Sequence, residues 1–165
     1  MGVLVILEMG LRFFEFTVIM KKVIILISYS LGLLFMYAAG SKLAEYDKFV
    51  VQIGQSAMLT PYAGVLAWLV PVLEIVIAIM LVFPGLRRLG LYGALGMMAG
   101  FTAYIYVVLN FMGNDKPCSC GGVLSAMDWP QHLVFNIVFT VLAGVGVTLS
   151  GLRPSLPGRE REKKF

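Results

Sequence analysis

The stretch YAGVLAWLVPVLEIVIAIMLVF, residues 62–83, carries a single charged side chain, Glu74. An apolar run of about 20 residues is long enough for an α-helix to cross the hydrocarbon core of a bilayer. Pro84 and Gly85 follow it, with two arginines just beyond, and this is how a membrane-spanning helix typically ends. The stretch therefore predicts a transmembrane helix from about Tyr62 to Phe83 and, with it, an integral membrane protein.

Three further apolar segments predict three more spanning helices. Hydrophobic residues make up 59% of the chain and charged residues 13%, and the mean hydropathy is +0.90. A soluble domain of this length is much less apolar. Four spans and short connections use nearly all of the 165 residues, which predicts one domain, an all-α integral membrane four-helix bundle. The other three spans are expected at about Val23 to Ala39, Leu89 to Phe111 and Gln131 to Ser150.

Between the first two spans, the segment from Leu43 to Leu59 mixes charged and apolar residues at helical spacing. This pattern predicts a short amphipathic helix on the membrane surface. We expect it to be extracytoplasmic and to cover the bundle on the side of the cysteines. In the third span, Gly96 and Gly100 have the small-residue spacing that allows two helices to approach closely.

The two ends of the chain differ from this core in composition. Residues 1–19 contain Glu8, Arg12 and Glu15, which are unfavourable in a span, so we interpret them as an N-terminal extension or a misplaced start. Residues 20–150 form the predicted membrane domain. Residues 151–165 form a basic tail.

The positive charges predict the topology. One side of the predicted bundle collects nine of them and the other three, Lys42, Lys48 and Lys116. By the positive-inside rule, both termini are cytoplasmic and the loop after the third span is periplasmic or extracellular, across a bacterial inner membrane. Basic residues placed this way are topology signals, and they argue against a nucleic-acid surface.

That loop contains both cysteines of the chain, Cys118 and Cys120, followed by Gly121 and Gly122. A disulfide between thiols at this spacing closes a small, strained ring, and strain makes a disulfide easier to reduce. The pattern favours a redox-active pair. Two other interpretations stay open: a permanent structural bond, and a metal site that the cysteines form with His132 or Asp128.

Two further residues are candidates for catalysis. Glu74 lies about 12 residues into its span, near the middle of the bilayer, and should face the bundle interior. It could accept a proton or contact a quinone headgroup, or it could be a protonated partner of a Tyr, Ser or Asn. His132 is the only histidine, and it could relay a proton or lower the pKa of a cysteine, or simply begin the fourth helix. Trp129, at the same helix start, fits an aromatic belt at the membrane interface.

Several short motifs give the chain a family resemblance. They are Gly40-Ser41-Lys42-Leu43, Phe49 with Ile53, Pro61, Pro71-x-x-Glu74, Pro84 with Arg87-Arg88, and Cys118-Ser119-Cys120-Gly121-Gly122. Over roughly residues 20–150 the chain resembles the MauE/DoxX group of redox-associated membrane proteins. For MauE-like proteins, the resemblance implies four helices and work beside an extracytoplasmic thioredoxin-like partner in methylamine utilisation. DoxX relatives include a subunit associated with quinone-linked thiosulfate oxidation, so a quinone is a candidate cofactor.

We therefore predict a thiol-disulfide redox protein that relays reducing equivalents between a thioredoxin-like partner and either a quinone or another thiol carrier. The alternative is a non-catalytic binding or assembly subunit whose cysteine pair is structural. A small-solute transporter is disfavoured because the spans contain one acid and no obvious inverted repeat.

Overall fold

The computed structural model describes residues 2–55, 59–111 and 128–152. This part of the chain is helical, without strands, and four of its helices are long and apolar enough to cross a membrane. The prediction of an all-α protein with four membrane-spanning helices is confirmed. The helices are α1 (Gly2–Ala44), α2 (Tyr46–Gly54), α3 (Ala63–Val82), α4 (Arg87–Phe111) and α5 (Trp129–Gly151), with a 3₁₀ turn at Thr60–Tyr62 before α3.

The four long helices form an antiparallel bundle in which each packs against its neighbours in the chain, and α5 closes the ring against α1. Short connections favour this up-and-down arrangement. One end of the bundle holds the α3–α4 turn at Pro84, and we call it the Pro84 end. The other end holds α2, the C-terminus of α4 and the N-terminus of α5, and we call it the α2 end.

The helix boundaries differ from the predicted ones mainly in α1. This helix continues without a break from Gly2 past Ala39 to Ala44, because no proline precedes Pro61 and the intervening glycines are tolerated inside a helix. Residues 2–19 therefore extend α1. At the start of α5, the backbone N–H of Asp128 donates to the side chain of Gln131 at 3.3 Å, so Asp128 occupies the N-cap position.

Each spanning helix buries one narrow stripe. In α3 most buried positions lie three or four residues apart, with Ile77 beside Ala78, which keeps them on one face of the helix. Large apolar side chains on the other faces are exposed, and Leu33 of α1 keeps 73% of its surface accessible. Apolar faces that meet no protein are expected where a helix meets lipid. The stripe of α3 comprises Ala67, Pro71, Glu74, Ala78 and Leu81.

The Pro84 end is closely packed. A Cβ atom on Gly90 of α4 would lie 2.9 Å from the backbone nitrogen of Leu81. A Cβ atom on Gly146 of α5 would lie 2.9 Å from the Leu91 side chain and 3.2 Å from that of Ile27. Only glycine fits at these two helix crossings without displacing a neighbour, so they set the spacing of the bundle at this end.

Gly96 and Gly100 do not have this role. Both are exposed, and among the described residues no atom outside the local helix lies within 4 Å of a Cβ placed on either of them. The prediction that this pair allows a close helix approach is wrong for contacts among the described residues. Spacing alone does not say which face of α4 meets another helix, and the pair lies on the outward face.

The amphipathic helix is confirmed as α2. Phe49 and Ile53 are buried against Ala67 of α3, whereas Asp47 and Lys48 are exposed. Its apolar face covers the first half of α3, and its polar face points away from the bundle. Because α2 packs on α3 and not across the whole end of the bundle, a cavity remains beside it.

The two classes of glycine in α4 make the packing testable. We expect Gly90→Ala to destabilise the protein by about 1–3 kcal/mol, because the added methyl meets backbone that cannot yield. Gly96→Ala is the matched control in the same helix, and it should be neutral or stabilising by up to about 1 kcal/mol. Thermal unfolding in detergent, followed by helical circular dichroism, measures both. Equal effects of the two substitutions would contradict this packing.

Candidate functional site

A cavity of about 320 Å³ lies at the α2 end of the bundle. All four spanning helices and α2 contribute to its walls. Its size is at the lower end of the range of about 300–1,000 Å³ that is usual for small-molecule sites. Phe35 and Met98, which also belong to the packed core, separate the cavity from the Pro84 end. The polar side chains on its walls are those of Ser41, Lys42, Gln52, Glu74, Tyr104, His132 and Asn136.

An ion pair lies in the wall of this cavity. The Lys42 Nζ atom donates to Glu74 Oε1 at 2.6 Å. The Glu74 side chain is fully buried, and the Lys42 side chain keeps 13% of its surface accessible. A buried charge is stable only when it is paired and hydrogen-bonded. The pair therefore ties the C-terminal end of α1 to the middle of α3.

Helix geometry explains why Lys42 reaches this position. Lys42 lies four residues after the buried Ala38 and continues the buried stripe of α1. Side chains on an α-helix lean towards its N-terminus, so a lysine near the C-terminal end of α1 points back into the bundle. Its Nζ atom also lies 3.5 Å from the carbonyl oxygen of Ala38.

Two aromatic rings complete the environment of the ammonium group. The Nζ atom of Lys42 lies 5.8 Å from the ring centre of Phe49 and 5.7 Å from that of Phe101. Distances below about 6 Å are those of cation–π interactions, which are strongest where water is excluded. The rings therefore stabilise the cation from α2 and α4, so three helices besides α1 hold Lys42 in place.

The two carboxylate oxygens of Glu74 have different surroundings. Oε1 accepts from Lys42, whereas Oε2 is buried and has no hydrogen-bond partner in the part of the chain that the structure describes. A carboxylate oxygen in this situation is costly unless a ligand or a proton satisfies it. The described residues thus satisfy one of the two carboxylate oxygens of Glu74.

The α5 wall carries His132 and Asn136, one turn apart on the same face. The Asn136 side-chain nitrogen donates to the carbonyl oxygen of His132 at 2.9 Å, and Asn136 is buried. One turn further, the hydroxyls of Thr140 and Thr102 lie 3.0 Å apart and join α5 to α4. These bonds fix the α5 face that holds the imidazole at the cavity.

The structure brings two of the predicted catalytic residues together. Glu74 and His132 line the same cavity, and the prediction that Glu74 faces the bundle interior is confirmed. Cys118 and Cys120 lie outside the described residues. Glu74 pairs with Lys42, which the alternative with a Tyr, Ser or Asn partner did not include, because the Lys42 side chain reaches into the bundle from the end of α1.

Lys42 is therefore the functional residue that the sequence analysis missed. It was counted as a topology charge beyond the first span. The signal that identifies it is a stripe of inward positions in α1, each three or four residues after the last, that ends on a lysine: Met20, Ile24, Ile27, Leu31, Phe35, Ala38 and Lys42.

The comparisons with known proteins identify one family. The model of the family described as Methylamine utilisation protein MauE matches residues 20–149, which is most of the chain and nearly the range over which the motifs suggested a resemblance. No curated protein and no solved structure matches the chain. The resemblance to DoxX proteins stays a prediction.

A double-mutant cycle tests the ion pair. Lys42→Met leaves the Glu74 carboxylate buried without its partner, and we expect it to destabilise the protein by about 3–5 kcal/mol. Adding Glu74→Gln removes the buried charge and should recover a large part of this loss. The free energy of unfolding in detergent, measured for both single variants and the double variant, gives the coupling energy.

Lys48→Met is the matched control for this cycle. Lys48 pairs with Glu45 at 3.1 Å, but its side chain is 71% exposed, and pairs of this kind contribute at most about 1 kcal/mol. If the double variant were no more stable than Lys42→Met alone, the loss would come from the missing lysine stem and not from an uncompensated charge.

Proposed function

The chain belongs to the family of the methylamine utilisation protein MauE, and from this premise we propose that it is a membrane thiol-disulfide redox protein. In this proposal Cys118 and Cys120 exchange disulfides with an extracytoplasmic thioredoxin-like partner. The family match supports a membrane protein of methylamine utilisation. The thiol chemistry is our extension of it, drawn from the paired cysteines between α4 and α5.

The exchange needs no other reactant. One cysteine thiolate attacks the partner's disulfide, forms a mixed disulfide and releases one partner thiolate. The second cysteine then attacks the mixed disulfide, which closes the Cys118–Cys120 bond and releases the second partner thiol. The partner gains two electrons and this chain loses two. The reverse sequence oxidises the partner.

The observation that carries the proposal is the position of the cavity. The helices on either side of the cysteine segment both line it: α4 contributes Tyr104 and Ile105 near its C-terminal end, and α5 contributes Trp129 and His132 at its start. The ion pair between Lys42 and Glu74 lies in the same cavity. The cysteine segment therefore connects two helices that both line a cavity with buried titratable groups.

These groups suit the protons of thiol chemistry. Oxidation of two thiols to a disulfide releases two protons, which need acceptors near the reacting sulfurs. His132 is four residues after Asp128 and is the titratable group of the cavity nearest in sequence to the cysteine segment. We assign it proton transfer to and from the cysteines, and we assign Glu74 the deeper acceptor position.

The proposal includes a location. Nine positive charges on the side of the termini, against three on the side of the cysteine segment, favour a bacterial cytoplasmic membrane with both termini inside. After gentle reduction of intact cells, a membrane-impermeant thiol reagent should label Cys118 and Cys120. Labelling that requires a permeabilised membrane would reverse the proposed orientation.

Single cysteine variants test the exchange. Replacing the resolving cysteine with serine should trap a covalent complex with the thioredoxin-like partner, because nothing then releases the mixed disulfide. Replacing the attacking cysteine should trap nothing. Cys118→Ser and Cys120→Ser are compared on non-reducing gels, with mass spectrometry of the trapped species, in cells that contain the partner.

The double variant Cys118→Ser/Cys120→Ser is the control, and it should trap nothing. A different result would favour the assembly-subunit alternative: both single variants lower the protein's stability to a similar degree and neither captures a partner. In that case the cysteine pair is structural and the redox proposal fails.

A further inference from the structure

The cavity at the α2 end has the chemistry of a ligand site. We propose that it binds the ring of a membrane-soluble quinone or of the corresponding quinol, held by the Lys42–Glu74 pair. The redox role of this ligand rests on the proposed thiol chemistry. The binding itself rests on the cavity and can be measured without the cysteines.

The walls of the cavity select a flat, apolar ligand. Most of its lining is apolar, and every element that contributes to it supplies at least one apolar side chain. The cavity lies among helices long and apolar enough to span a membrane, where a ligand that dissolves in lipid is concentrated. Its aromatic residues, whose ring faces suit stacking against a planar ring, are Phe35, Phe49, Phe101, Tyr104, Trp129 and Phe135.

The ion pair selects oxygen atoms on that ring. An ammonium group has three N–H donors, and Glu74 Oε1 and the Ala38 carbonyl take two of those of Lys42. Glu74 Oε2 is buried and has no donor among the residues described. A quinone carbonyl accepts from an ammonium group, and a quinol hydroxyl donates to a carboxylate. The pair can therefore bind both redox forms.

A lipid acyl chain is the competing occupant, and the same atoms argue against it. A hydrocarbon chain would fill the apolar walls but leave Glu74 Oε2, which has no donor among the described residues, unsatisfied. The volume of about 320 Å³ fits a compact headgroup of one or two rings, with its tail outside the cavity in the lipid.

When this chain oxidises its partner, the exchange leaves Cys118 and Cys120 as thiols, and a bound quinone would regenerate their disulfide for the next turnover. When two cysteine thiols form one disulfide, two electrons and two protons leave the sulfur atoms. A quinone supplies an acceptor for both, because its reduction to the quinol consumes two electrons and two protons.

Tryptophan fluorescence provides the binding measurement. Trp129 lines the cavity, whereas Trp68 is exposed on α3, and these are the only two tryptophans of the chain. Trp68→Phe makes Trp129 the sole reporter. The substitutions Cys118→Ser and Cys120→Ser, made in the same protein, prevent covalent addition of thiols to the probe. A decyl-substituted benzoquinone, titrated into this full-length protein in detergent, should quench Trp129 with a saturable curve.

The ion pair is tested by variants in this background. Lys42→Met/Glu74→Gln, which carries no uncompensated charge, should weaken binding by about tenfold or more, the effect of losing a hydrogen bond to a charged group. Glu74→Gln keeps the lysine but removes the carboxylate that accepts from a quinol hydroxyl, so it should weaken quinol more than quinone. Lys48→Met, outside the cavity, should bind like the parent protein. Helical circular dichroism confirms folding.

Two results would overturn the inference. One is quenching that does not saturate and is the same in all variants, which indicates partition into the micelle. The other is displacement of the probe by decylbenzene as readily as by decyl quinol, which indicates an acyl-chain site. Saturable binding together with failed partner trapping would support the quinone site and reject the thiol relay. Partner trapping without saturable quenching would support the thiol relay and reject the quinone site.

Discussion

The ion pair between Lys42 and Glu74 constrains the rest of the structure. Inside an apolar bundle, each of these charges is compensated by the other, because either one alone would be buried without a counter-charge. The pair fixes the end of α1 against the middle of α3. It also fixes the rings of Phe49 and Phe101 around the ammonium group, which brings α2 and α4 into the same arrangement.

This constraint divides the bundle into two halves of different packing. At the Pro84 end, Gly90 and Gly146 allow the helices to meet closely, and the interior is filled. At the α2 end, a cavity of about 320 Å³ lies between the helices, with the ion pair in its wall. The second half holds Glu74 Oε2, a buried oxygen that has no partner among the described residues and that a ligand or a proton can use.

Much of the fold could be predicted because the length of an apolar run determines whether a helix can span a membrane. The four spans, the amphipathic α2 and the inward position of Glu74 followed from hydropathy, periodicity and the cost of a buried charge. The partner of Glu74 did not, because Lys42 has the position of an ordinary interfacial lysine when α1 is considered alone. Gly96 and Gly100 were misjudged because lipid-facing and helix-facing surfaces are equally apolar in a membrane protein.

The sequence by itself determined a helical membrane protein of the MauE family with a buried acid in α3 and a cysteine pair between α4 and α5. The tertiary structure decided which residues meet. Lys42 and Glu74 are 32 positions apart in the chain, and His132 is far from both. Only the antiparallel order of the helices places all three on one cavity. Long-range contacts of this kind depend on how helices pack, and no local pattern within one helix contains that information.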